Sequence, residues 1–200
     1  MFIALGAGVA LTVVTVVTYT GVLPGSAVLS QIFGVAWLWS WWGYLVVRLV
    51  DRQARPLRAA VLGAASTGIA GATYYPVQLA LGTLEDFAVE AVAYWTLTGV
   101  AVGCVTGLCA GLQRSARPLA ALGAVGVVLV SSYGLWISAQ GLIGPASIQT
   151  PGTDIVALVV MITLHVLLVV WVLADLLRHS PAPTGTEAVP AERELKQRNA

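Results

Sequence analysis

Charged side chains are what this sequence has least of. Asp, Glu, Lys and Arg make up 10% of its 200 residues, against about 25% in soluble domains. With 58% hydrophobic residues and a mean hydropathy of +0.87, a water-facing surface around one core does not account for the chain. That places it among membrane proteins. The net charge is only +1, and no nucleic-acid partner is expected. Only two cysteines are present, Cys104 and Cys109. Five residues apart on a helix, they point about 140° away from each other and cannot pair within it. With no CxxC and no Cys/His ligand spacing, neither a metal nor a cofactor is expected, and both thiols read as buried and apolar. The signatures GxSxG, HExxH and GxxxxGK[ST] are also missing, as are paired intramembrane glutamates, so no catalytic residue can be assigned.

What the chain does have is long charge-free windows. A bilayer core about 30 Å thick needs about 20 apolar helical residues. Six such windows predict an all-α, six-helix transmembrane bundle over residues 1–179, with spans near 2–22, 27–48, 57–76, 88–112, 118–140 and 155–177. Leu23-Pro24-Gly25-Ser26 divides the first two. The first window has no basic n-region and exceeds the length of a signal-peptide core, so it reads as a retained span. Residues 180–200, rich in Pro, Ala and charge, are expected to form a disordered cytoplasmic tail.

The charges carry the direction. Arg48, Arg52, Arg55, Arg58, Arg114, Arg117, Arg178, Arg193, Lys196 and Arg198 are all the basic residues. Six alternating crossings place every one on the same side, and Glu85, Asp86, Glu90 and Asp154 on the other. By the bias of basic residues toward the cytoplasm, both termini are expected inside. Ala54-Arg55-Pro56-Leu57 recurs as Ala116-Arg117-Pro118-Leu119, each opening an outward span. Duplication of a hairpin and repeated local physics, proline suiting a first helical turn, both explain it.

Several features are candidates for function. Gly99, Gly103, Gly107 and Gly111 strip one side of the fourth span of side chains, which lets another helix approach closely. Ala59, Gly63, Ser66, Ala70 and Thr73 form a similar small face on the third span, and Gly8, Thr12, Thr15 and Tyr19 on the first. In the second span, Trp37, Trp41, Tyr44 and Arg48 share a stripe that runs back to Ser30. It is a candidate ligand-lining wall, or aromatic packing against glycine-rich helices. Trp39 and Trp42 point elsewhere, to lipid or a neighbouring helix. Tyr19, Tyr74, Tyr75, Tyr94, Trp95, Tyr133 and Trp136 gather at the outer ends of their spans, as an interfacial belt or as the lining of an outward pocket. Ionisable groups within spans are costly in hydrocarbon and so are functional candidates. His165 is the deepest, either a proton relay or a partner for a hydroxyl. Glu90 is a cation ligand or a charge favoured at a helix N-terminus. Asp175 lies three and four residues before Arg178 and His179 and reads as their ion-pair partner.

Taken together, the Leu23-Pro24-Gly25 break, the aromatic run from Trp37, Tyr74-Tyr75, and Tyr94-Trp95 leading into Gly99, Gly103 and Gly107 carry a resemblance. Over residues 5–177 the chain resembles a group of actinobacterial six-span membrane proteins grouped as a domain of unknown function. That resemblance implies a bacterial cell membrane and no characterised activity. In size and span count the chain is also similar to substrate-binding subunits of vitamin importers of the energy-coupling-factor type.

The functional expectation is a small-molecule binding or transport component in the lipid bilayer, with ligand contacts from Trp37, Trp41, Tyr44, Tyr75, Glu90, Tyr94 and His165. The alternatives are a structural or interaction protein, whose glycine row serves packing, a homo-oligomer or a membrane partner, and a membrane-embedded enzyme such as a cyclase. The enzyme requires Glu90, Asp175 or His165 to open into a cavity.

Overall fold

The computed structural model describes residues 1–34, 36–51, 53–86, 89–143 and 151–178, and these form seven α-helices. In chain order they are α1 (Phe2–Tyr19), α2 (Ser26–Phe33), α3 (Ala36–Val50), α4 (Pro56–Ala80), α5 (Val89–Leu112), α6 (Arg117–Ile143) and α7 (Pro151–Arg178). Four of them, α1, α5, α6 and α7, are long and apolar enough to cross a membrane, and α2 with α3 adds a fifth if that bent pair is one crossing. The chain is a polytopic helical membrane protein. The expected tail, from residue 180, lies outside the described residues.

The predicted second span is not one rod. Gly25, at φ +74°, opens α2, which closes at Gly34 before α3 begins, and the two axes differ by 66°. Glycine is required at the break. A Cβ on Gly34 would fall on the Tyr19 hydroxyl and on the Ser30 carbonyl, so only hydrogen leaves room for the end of α1.

α4 is not among the helices that qualify by hydropathy, although its 25 residues extend for about 37 Å. Its composition follows from its place. It packs against α1, α3 and α5, so much of its surface meets backbone rather than lipid. Gly99, Gly103, Gly107 and Gly111 of α5 lie over Thr67, Gly63, Ala59 and Pro56 of α4, with no space for a Cβ on any of the four. The Thr67 hydroxyl sits between the carbonyls of Gly63 (2.9 Å) and Gly99 (2.5 Å), joining the two helices. On the opposite side Gly8 of α1 rests on the Ser66 carbonyl, and the Thr12 hydroxyl donates to the Ala70 carbonyl at 3.0 Å. The small faces of the first, third and fourth spans are therefore two seams, with α4 between them. α4 also runs past Pro76 to Ala80, beyond its expected end.

Contacts gather the described basic segments at one end of the bundle. Arg48 of α3 pairs with Asp175 of α7 at 2.6 Å, Arg58 pairs with Asp51 at 3.0 Å, and Gly111 sits on Pro56. At the other end Gln31 of α2 donates to Asp154 of α7 at 2.5 Å. Asp175 is bridged across the bundle to Arg48, while His179, one of the two partners expected for it, lies outside the described residues. One expectation changes here. Cys104 is exposed while Cys109 is buried, since the 140° between them turns one outward when the other faces α6.

Candidate functional site

α3 carries two aromatic faces that do different work. Trp37, Trp41 and Tyr44 are almost wholly buried, and Arg48 beyond them is 5% exposed. Their face meets α6 and α7. The indole N–H groups of Trp37 and Trp41 both donate to His165 Nδ1, at 3.2 and 3.3 Å. An indole nitrogen can only donate, so Nδ1 carries no proton and the ring hydrogen is on Nε2. Nε2 lies 3.2 Å from the Ser132 hydroxyl of α6, to which it therefore donates. His165 thus joins three helices.

Below it, the Tyr44 hydroxyl donates to Gln113 Oε1 at 2.7 Å. The Arg48 guanidinium lies 5.9 Å from the centroid of Tyr44 and 5.5 Å from that of Trp171, and bonds Asp175. Cation and rings in such an arrangement attract. None of these side chains lines either of the two cavities described below.

Trp39 points the other way, into a cavity of about 410 Å³ framed by α3, α4, α5 and α6. Six aromatic side chains line it: Trp39, Tyr74, Tyr75, Tyr94, Trp95 and Tyr133. Trp39 stands 6.4 Å from Tyr74 and 6.5 Å from Trp95, ring centre to ring centre, so the three make a corner. Polar atoms come from the tyrosines, Ser40, Thr67 and Thr98. Ser40 and Thr67 already hydrogen-bond to backbone carbonyls, at Ala36 and at Gly63 and Gly99.

The cavity exists because α5 and α6 diverge. Near their connecting turn they touch, Gly123 against the Cys109 carbonyl and Gly126 against the Cys109 sulfur. Farther out, residues 94–102 of α5 and 130–137 of α6 stand on opposite walls of the cavity. Tyr94 and Tyr133, each 62% exposed, form its rim.

A second cavity of about 280 Å³ adjoins the first, with Ala36, Trp95 and Ile137 lining both. Its other walls include Tyr19, Ser30, Gln31 and Ser138. Asp154, 7% exposed, is held behind Gln31.

Of the seven residues singled out as ligand contacts, Tyr75 and Tyr94 line the larger cavity. Trp37, Trp41, Tyr44 and His165 form the interior network, and Glu90 is exposed and lines neither cavity. Sequence reasoning passed over Trp39, Thr98 and the Gln31–Asp154 pair. The pair had a signal, a glutamine and an aspartate flanking apolar runs where polar groups are expensive. Trp39 had none, since its spacing from the stripe tells only that it faces away. Among the described residues no group of three or more His, Cys, Asp or Glu could hold a metal ion. No protein-family model, curated protein or solved structure matches the chain.

Proposed function

We propose that this protein is a six-span cell-membrane component that binds a small molecule in the aromatic cavity between α3, α4, α5 and α6. The observation that carries the reading is the cavity itself. At about 410 Å³ it falls within the size of ligand pockets, roughly 300–1,000 Å³, and it is mostly apolar with a few placed hydroxyls. The basic segments gathered at one end support cytoplasmic termini, with the cavity in the outer half of the bilayer. The resemblance to actinobacterial six-span proteins is consistent with that placement in a bacterial cell membrane.

The enzyme alternative has less behind it. His165, Asp175 and Glu90 all lie off the cavity lining, so no acid or base among the described residues is set to act on a bound molecule. The structural alternative has one observation in its favour. The interior network and both glycine seams are consumed in packing this chain against itself.

Native mass spectrometry of the protein purified in mild detergent tests the proposal. The expected result is an adduct of discrete mass on the wild type that is lost in Thr98→Trp, whose indole would occupy the cavity. A wild type free of any adduct, with both proteins melting alike in lipid extract from the source membrane, would count for the structural reading.

A further inference from the structure

The walls of both cavities withhold any full charge. No Asp, Glu, Lys, Arg or His lines either one among the described residues. An anion entering them would lose its hydration without gaining a counter-charge, and for a cation the nearest carboxylate, Asp154, is already engaged by Gln31. The mouth makes a second restriction. Its rim residues, Tyr94 and Tyr133, belong to two helices that each qualify as membrane spans, and exposed Leu97 and Ile137 flank them. The mouth therefore opens sideways between two candidate spans, on faces that carry exposed apolar side chains, rather than at an end of the bundle. A third feature is the division of labour between chambers. The larger is walled by aromatic rings, and the smaller brings Tyr19, Ser30, Gln31 and Ser138 around a shorter space.

From these three observations we infer that the ligand is an uncharged amphiphile taken from the outer half of the bilayer between α5 and α6. Its apolar body occupies the aromatic chamber and its hydroxyl- or amide-bearing end the Gln31 chamber. Trp95, 37% exposed, lines both chambers and joins their walls. This rests on the binding reading above and adds the ligand class and the route.

The test uses the full-length protein reconstituted in vesicles of a zwitterionic phospholipid. Three diazirine-bearing probes share one long alkyl chain and end in an alcohol, a carboxylate or a trimethylammonium group. After photolysis, labelled residues are located by peptide mass spectrometry. The alcohol is expected to label residues 94–102 and 130–137 at least about tenfold more than either ion, the equivalent of about 1.4 kcal/mol. Labelling should follow the mole fraction of probe in the bilayer, not its total concentration. Thr98→Trp should remove it, and Tyr19→Phe with Ser30→Ala should reduce the preference for alcohol over the ions.

Stronger labelling by the trimethylammonium probe would overturn the uncharged class and leave binding standing, since aromatic rings also hold such cations. Labelling that tracks aqueous concentration would overturn the lateral route. If none of the probes labels these segments and Thr98→Trp changes nothing, the binding reading falls along with the inference. Circular dichroism and gel filtration of each variant separate loss of binding from loss of fold.

Discussion

His165 shows how one polar side chain in a bundle can be set by its partners. Nδ1 has a single lone pair and two indole donors approach it, so the pair of bonds is shared, with neither at full strength. Removing the ring leaves Trp37 Nε1 and Trp41 Nε1 buried without an acceptor. His165→Ala should therefore destabilise by about 1–3 kcal/mol for each indole left unsatisfied. Ser132→Ala removes one part-buried bond, and interhelical bonds in membranes average about 0.6 kcal/mol. Unfolding in mixed micelles with rising SDS should rank the two accordingly. Equal losses would mean that the indole bonds contribute nothing beyond packing.

Arg48 and Asp175 present the related case of a full charge pair, with side-chain exposures of 6% and 14%. Asp175→Asn leaves the guanidinium charged among Tyr44 and Trp171, and breaking a buried pair from one side costs about 3–5 kcal/mol. Replacing both, as Arg48→Met with Asp175→Leu, should recover most of that loss, because two desolvation costs vanish with the attraction. The same SDS titration measures both variants. A double variant no more stable than Asp175→Asn would show that the pair contributes net stability to the bundle.

At the scale of helices, the α4–α5 seam is decided by hydrogen atoms. A side chain on Gly103 would meet the Gly63 carbonyl and the Thr67 hydroxyl, both fixed, so the helices must separate. Gly103→Leu should cost at least about 1–3 kcal/mol, the usual range for overpacking. Gly6→Leu on α1, where nothing lies within 4 Å, should be tolerated. The check is the monodisperse fraction by gel filtration in detergent, with crosslinking to show whether any loss comes from dissociating copies. Since all four glycines already face α4, no change in oligomeric state should accompany the loss.

This seam was legible in the sequence, because a four-residue repeat of glycine defines a helical face without knowledge of the fold. So was the all-helical membrane class, from charge-free length, though not the division of the second window into α2 and α3. The cavity was legible only in part. Tyr75 and Tyr94 were marked by depth, which residue number supplies once spans are drawn. Trp39 was not, because its environment depends on the 66° break near Gly34 and on where α5 and α6 diverge. The partnership of Trp37 with His165 spans 128 residues and is set by which helices become neighbours. Periodicity within one helix contains no information on that.

The whole molecule turns on α4. If it crosses the bilayer, the chain makes six passes and every basic residue falls on one side. Without that crossing, the count is five at most, with α2 and α3 as one crossing, and Arg48, Arg55 and Arg58 lie on the same side as Glu85 and Asp86. Its small and hydroxyl-bearing residues make it a poor lipid-facing helix, yet α1, α3 and α5 cover it, and its threonines bond within the protein. A helix shielded in this way can cross without being strongly apolar, since the hydrocarbon meets only part of its surface. Gln53 and Thr83 flank it, both exposed, one at each end. In a Cys104→Ser, Cys109→Ala background, Gln53→Cys and Thr83→Cys should label differently with a membrane-impermeant maleimide. Thr83→Cys should react in intact cells and Gln53→Cys only after lysis. Equal reaction at both positions would remove α4 from the membrane, and with it the six-pass arrangement that puts the aromatic cavity in the outer half.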